Sequence, residues 1–245
     1  MSRKRPTSGS AKSVAAQELA KQRASQRRRT AAIVSGVVVV VLALAVAVGI
    51  SMYRTQSAPT TAAVPKGGTA TGITVGKPNA PVAVDVYVDF LCPGCRQFEQ
   101  TTGPALDRYL AAGTVRLTYH PVAFLDRLSA GTNYSTRASA ASACAADAGV
   151  FLPYLKALYA NQPPEGSPGL TDDQLIALGR TVGATSPSFA ECVRSKRYVG
   201  WTARVTEAAS RAGVNVTPTV LVGGKPVTPV PQNVTAAIDA AAKGR

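Results

Sequence analysis

Cys92-Pro93-Gly94-Cys95 is the group in this sequence whose residue types and spacing most clearly define a reaction. Two thiols three positions apart can form a single disulfide and open it again. The attacking species in that exchange is the thiolate. The motif follows the β-branched and aromatic run Pro81–Leu91 and precedes residues with helical spacing (Phe98, Leu106, Tyr109, Leu110). Cys92 is therefore expected at a helix N-terminus, where unpaired N–H groups and the macrodipole favour a negative sulfur. Pro93 suits the first helical turn because its missing N–H would have had no partner there. Cys95 falls one turn later, within reach of a mixed disulfide on Cys92. Gly94 is small and uncharged. The competing readings are a zinc knuckle and a structural staple. Zinc usually takes two such pairs or added histidines. Here the other cysteines, Cys144 and Cys192, stand apart from each other, and His120 is the single histidine.

A second signal is Val216-Thr217-Pro218-Thr219-Val220. A proline leading directly into a strand belongs at an edge, a bulge or a first position. Its peptide bond can be cis, but the general preference favours a trans turn proline. Other residues carry weaker signals. Asp89 reads as a solvated carboxylate at a strand end, whose charge would raise the Cys92 pKa. His120 reads as a structural strand residue and Trp201 as a core residue that packs a long helix.

These residues need a scaffold, and the chain alternates strand and helix signals to supply it. After the strand and the helix from Cys95 to about Ala112, Gly113 ends the helix and Val115–Phe124 reads as a strand. This β-α-β order implies a parallel pair with a right-handed crossover. Residues from about 133 to 212 read as almost wholly helical. Thr171-Asp-Asp-Gln174 is a capping box, and Ser186-Pro187 opens a long stretch through Ala212, closed by Gly213. Thr219–Val222, Gly223-Gly224 and Lys225–Val230 read as a hairpin, and Asn233–Lys243 as a last helix. The fold class is α/β.

The formal charge of +14 would suggest a nucleic-acid partner, but residues 1–30 hold nine Lys/Arg against Glu18 alone, leaving +6 on the rest. Few aromatic residues accompany these charges, so the stacking surfaces of single-strand binders are missing. The charge reads as membrane topology. Ala31–Ile50 has no charged residue and is long enough to cross about 30 Å of hydrocarbon as a helix. Its N-terminal side is cationic and only Arg54 follows closely, so the N-terminus is expected in the cytoplasm. A cleaved signal peptide would have a shorter apolar core and an A-x-A site, and a lipoprotein would have a following cysteine. The expected organisation is a basic tail at 1–30, a transmembrane anchor at 31–52, a flexible linker at 53–72 and one domain at 73–245.

C-P-G-C after a strand, a helical block, then V-T-P-T-V before a hairpin resembles the DsbA-type branch of the thioredoxin superfamily. Val86–Cys95 is most similar to the V-Y-x-D-F-L-C-P-x-C stretch of membrane-anchored actinobacterial members. The resemblance covers Ile73 to the C-terminus. It implies a thioredoxin fold with a helical insertion at about 133–212, preceded by one transmembrane helix. Cys92 and Cys95 would be catalytic, and Thr217-Pro218 a cis-proline loop facing Cys92 and binding substrate backbone. Cys144 and Cys192 would form a structural disulfide, where the residues alone leave two buried thiols as the alternative. No cofactor or metal is implied. The expected partners are cysteine-containing exported proteins and a quinone-linked membrane reoxidase of the DsbB or VKOR type. Net electron flow in the reverse direction, as in a reductase or isomerase, and a non-catalytic peptide-binding module are the alternatives.

Two departures from the family pattern stand out. Relatives often carry a buried acid six residues before the first cysteine, where this chain has Val86, and Asp85 is expected on the opposite face of the strand. Strongly oxidising relatives have histidine between the cysteines, where this chain has Gly94. A less oxidising couple is therefore expected.

Overall fold

The structure is a computed structural model that describes residues 63–244. The expected tail, the membrane span and the first part of the linker lie outside those residues. The core element is β2 (Val82–Val88), whose alternation follows from the two-residue period of a strand. Val82, Val84, Val86 and Val88 are fully buried, while Ala83, Asp85 and Tyr87 face a half-covered side. β2 pairs in parallel with β3 (Val115–Pro121) and antiparallel with β4 (Thr219–Val222). β1 (Ile73–Val75) adds to β3, and β5 (Lys225–Val227) adds to β4, giving the mixed sheet order β1-β3-β2-β4-β5. β1 is too short to show a period in the sequence and was not expected.

Helix α1 (Pro93–Ala112) makes the crossover from β2 to β3 and ends on Gly113, whose φ of 72° is the left-handed conformation glycine tolerates best. The helical block is α2 (Tyr134–Asp147), α3 (Phe151–Ala160), α4 (Asp172–Thr181), α5 (Pro187–Arg194) and α6 (Val199–Arg211). The capping box at α4 has both reciprocal bonds: Gln174 N–H donates to Thr171 Oγ1 at 3.2 Å, and Thr171 N–H to Gln174 Oε1 at 2.8 Å. The single helix expected from Ser186 to Ala212 is two helices. The chain breaks at Lys196, with φ 57°, and both Tyr198, which caps the second helix, and Trp201 in its first turn are buried. Helix α7 (Pro231–Lys243) packs beside α1 against β4 and β2, and α6 packs on β3.

Residues 63–72 read as flexible linker by composition, yet they lie on the domain as a strap. Trp201 donates its indole N–H to Thr69 O at 2.9 Å, and Asp147 Oδ1 accepts Lys66 N–H at 2.8 Å. His120 Nδ1 lies 2.7 Å from Thr71 O. Composition signals a lack of apolar anchors but says nothing about backbone groups, which find side-chain partners here.

Candidate active site

β2 stops at Val88 because the chain must turn to start α1, and Asp89–Cys92 makes that turn with Cys92 N–H donating to Asp89 O at 3.1 Å. Cys92 is the N-cap of α1, in extended conformation (φ −74°, ψ 117°), and Pro93 is the first helical residue. Cys92 O accepts the N–H groups of Cys95 (3.1 Å) and Arg96 (3.2 Å), which locks the first turn. Cys92 is 9% exposed and Cys95 is not exposed at all. Both are free thiols, so the structure corresponds to the reduced site.

The two sulfurs differ sharply in acidity. Cys92 is lowered from 9.0 to about 6, chiefly by a hydrogen bond from the Cys95 thiol. Burial works against this shift, and Thr217 and the N–H groups of Cys95 and Gly94 reinforce it. Cys95 is pushed well above 9.0, first by burial and then by the Cys92 sulfur beside it. Near neutral pH the pair is therefore one thiolate and one thiol. Such a pair has a nucleophile and leaving group at Cys92 and a protonated partner within bonding reach.

Thr217 and Pro218 lie directly over this pair. Cys92 Sγ is 3.3 Å from Thr217 O, and the Thr217–Pro218 peptide bond is cis, against the trans preference of an isolated sequence. β4 begins at Thr219, opposite Tyr87, so the sheet itself fixes the loop above the end of β2. A Cβ on Gly94 would meet Pro218 Cδ at 3.3 Å, which places position 94 against the same loop.

Two buried carboxylates flank the pair. Asp89 is not the solvated carboxylate expected from its place at a strand end: it has no exposed surface. Its carboxylate accepts Leu91 N–H (2.9 Å), Leu125 N–H (3.0 Å) and Ser135 Oγ–H (2.7 Å). Burial still raises it from 3.8 to about 6. The helical block covers the loop, and a single strand-end pattern carries no trace of that cover. Glu99, one turn beyond Cys95 on α1, is 8% exposed and raised by burial to about 7, with the charge of Lys156 opposing. Its carboxylate lies against Gly103, where a Cβ would fall 2.8 Å from Oε1. Tyr119 Oη donates to it at 3.5 Å, and it lines a recess of about 230 Å³ with Lys156 and Asp107 paired at its rim. Glu99 was not singled out in the sequence. Its spacing of four from Cys95 was the available signal, since such pairs share a helix face.

Val86 is fully buried, and Asp85 is on the other face of β2, 3.1 Å from His120 Nε2. His120 also stacks on Tyr87 at 4.2 Å, a structural setting remote from Cys92 in bonding terms. Cys144 and Cys192 form a disulfide that ties α2 to α5 with Cα atoms 5.9 Å apart. That leaves Cys92 and Cys95 without the further sulfurs that a zinc site would need.

A family model described as thioredoxin matches residues 68–240. The chain is 34% identical over 159 residues to the serine/threonine-protein kinase PknE of Mycobacterium tuberculosis, covering 62% of this chain and 28% of the kinase. It thus spans little more than a quarter of that relative. It is 27% identical over 169 residues to a probable disulfide bond formation protein D of Bacillus cereus, covering 67% of this chain and 76% of that protein. Oxidised DsbA of Mycobacterium tuberculosis superposes with a TM-score of 0.58 at 31% identity, covering 71% of this chain and 98% of that one.

Proposed function

The chain belongs to the thioredoxin family, in its DsbA-type branch, and from that premise we propose that it is a membrane-anchored dithiol oxidase acting outside the cytoplasm. The observation that carries the reading is the unequal pair of sulfurs: Cys92, lowered to about 6, at the start of α1 and facing Thr217, with Cys95 buried behind it.

In the oxidised enzyme a substrate thiolate attacks Cys92 Sγ. The Cys92–Cys95 bond breaks, and Cys95 leaves with the electron pair and takes up a proton. A second substrate thiolate then attacks the substrate sulfur of the mixed disulfide. The substrate disulfide forms, and Cys92 leaves as the thiolate that its low pKa favours. Two electrons now reside on the enzyme. A quinone-linked membrane partner of the DsbB or VKOR type would remove them as Cys92–Cys95 re-forms. Thr217 offers its backbone to the substrate chain at the cis-proline loop.

Anchoring rests on Ala31–Ile50 and the cationic residues before it, which orient the N-terminus to the cytoplasm and the thioredoxin domain to the outside. It would hold enzyme and reoxidase in one plane and so raise their effective concentration. Substrates are then exported proteins with cysteine pairs.

Cys95→Ala in intact cells tests the chemistry. Exported proteins should accumulate as mixed disulfides on Cys92, whereas an absence of adducts favours a peptide-binding module. Thiol alkylation of the wild-type protein in cells tests direction. An oxidase is found mainly oxidised, and a mainly reduced pair identifies a reductase or isomerase. A reporter fused after residue 52 that is active in the cytoplasm would overturn the topology.

A further inference from the structure

The side chain of Gln162 lies at the meeting point of the helical block and the redox loop. It follows the end of α3, 70 positions along the chain from Cys92. Its Nε2 donates to Cys92 O at 2.9 Å and to Phe90 O at 3.0 Å. Both partners are carbonyls, so only the amide NH₂ can satisfy them, and both of its hydrogens are used. One turn earlier on α3, Tyr159 Oη donates to Asp89 O at 3.4 Å. The end of α3 thus holds three carbonyls of the four-residue loop that presents the nucleophile.

We propose that Gln162 is a positioning residue for Cys92, fixing the peptide that follows it so that the sulfur faces the N–H groups opening α1. The reason lies in the motif itself. Pro93 has no N–H, so the Cys92–Pro93 peptide has its carbonyl as its sole polar handle. The Cys95 and Arg96 N–H groups hold that carbonyl along the helix axis, and Gln162 holds it from the side. Phe90 O, beyond the last paired residue of β2, is held by the same amide. Without Gln162 the two helix bonds still hold this carbonyl along the axis, but the restraint from the side is gone, so the peptide can tilt about them and carry Cys92 Sγ off the Gly94 and Cys95 N–H groups that stabilise its negative charge. The helical insertion thereby supports the acidity of a cysteine in the thioredoxin core, whose chief source is the Cys95 thiol. This deepens the oxidoreductase reading and rests on it for its biological meaning.

The test uses the full-length reduced protein in detergent, with Gln162→Met, which keeps length and loses both donors, and Gln162→Glu, which replaces donors by acceptors. The thiolate absorbance near 240 nm is followed against pH, with thermal unfolding measured in parallel. The Cys92 midpoint is expected to rise in both variants, more in Gln162→Glu. Alkylation at pH 6 should slow by about 3- to 10-fold, the scale of one lost hydrogen bond. A purely structural brace would lower the thermal midpoint and leave the Cys92 titration in place, and that result overturns the proposal. If the variants do not fold, the wild-type protein decides it. The Gln162 side-chain amide resonances should shift with the Cys92 titration, and resonances unmoved across it refute the role. None of these readouts depends on electron flow or substrates. A failure to trap mixed disulfides would sink the oxidase reading without touching this one.

Discussion

Cys92 Sγ lies 3.3 Å from the carbonyl oxygen of Thr217, 125 positions further along the chain. The contact joins the two ends of the thioredoxin core across the helical insertion, and it exists because β2 and β4 are direct neighbours in the sheet. It also brings the exchangeable sulfur and the backbone of the cis-proline loop together at one place.

The acidity of Cys92 sets a pH dependence whose sign can be stated. Its folded value of about 6 lies below the ordinary 9.0, so the reduced fold gains stability from this group as pH rises from about 6 to 9 and loses it on return. Alkylation of the reduced protein should follow a single midpoint near pH 6 at Cys92, with Cys95 unmodified. Peptide mass spectrometry after timed labelling measures both. A midpoint near that of an ordinary thiol would show that the start of α1 does not stabilise the thiolate.

The redox potential should fall between two known extremes. A thiol near 3.5 accompanies a couple near about −120 mV, and one near 7 accompanies about −270 mV. Cys92 at about 6 lies between them, nearer the second, in keeping with Gly94 where strongly oxidising relatives have histidine. Equilibration with glutathione buffers measures the value. A result at the −120 mV extreme would mean that another group stabilises the reduced site.

What the sequence reveals and conceals about this site follows the range of the interactions involved. The placement of Cys92 is local: a β-branched run ends, a proline opens a helix, and capping preferences do the rest. The capping box at Thr171 and the left-handed Gly113 are legible for the same reason. Asp89 was misread because its burial depends on Ser135 of α2 and on Leu125 in the loop before it, 46 and 36 positions away. Gln162 and Glu99 carry no motif, since a glutamine after a helix and a glutamate inside one are ordinary in isolation. The break between α5 and α6 rests on one left-handed lysine, a conformation that no propensity favours.

Asp89 should be a stability determinant as well as a neighbour of the thiolate. Asp89→Ala strands the Leu91 and Leu125 N–H groups and the Ser135 hydroxyl in a buried setting, and a loss of more than about 3 kcal/mol is expected. Ser135→Ala removes one of these bonds and should cost about 1.5–3 kcal/mol. Urea unfolding of the three proteins gives the comparison. Asp89→Asn keeps the shape and removes the charge, so the Cys92 midpoint should fall, because the carboxylate and the sulfur raise each other. Equal stability of Asp89→Ala and wild type would contradict the buried network.

Glu99 gives the opposite pH signature. Its folded value of about 7 lies above the ordinary 4.5, so the native state binds its proton more tightly than the unfolded chain does. The associated stability is complete below about pH 4.5 and is lost as pH rises through about 7. Asp89, raised to about 6 from 3.8, contributes with the same sign at lower pH. Glu99→Gln keeps the packing against Gly103 and removes the titration. The variant should match wild type near pH 4 and exceed it by about 3 kcal/mol near pH 8, where wild type must hold a carboxylate in a largely apolar recess. Thermal unfolding from pH 4 to 8 reads the difference directly. A constant gap between the two proteins would show that burial does not raise Glu99 above its ordinary value.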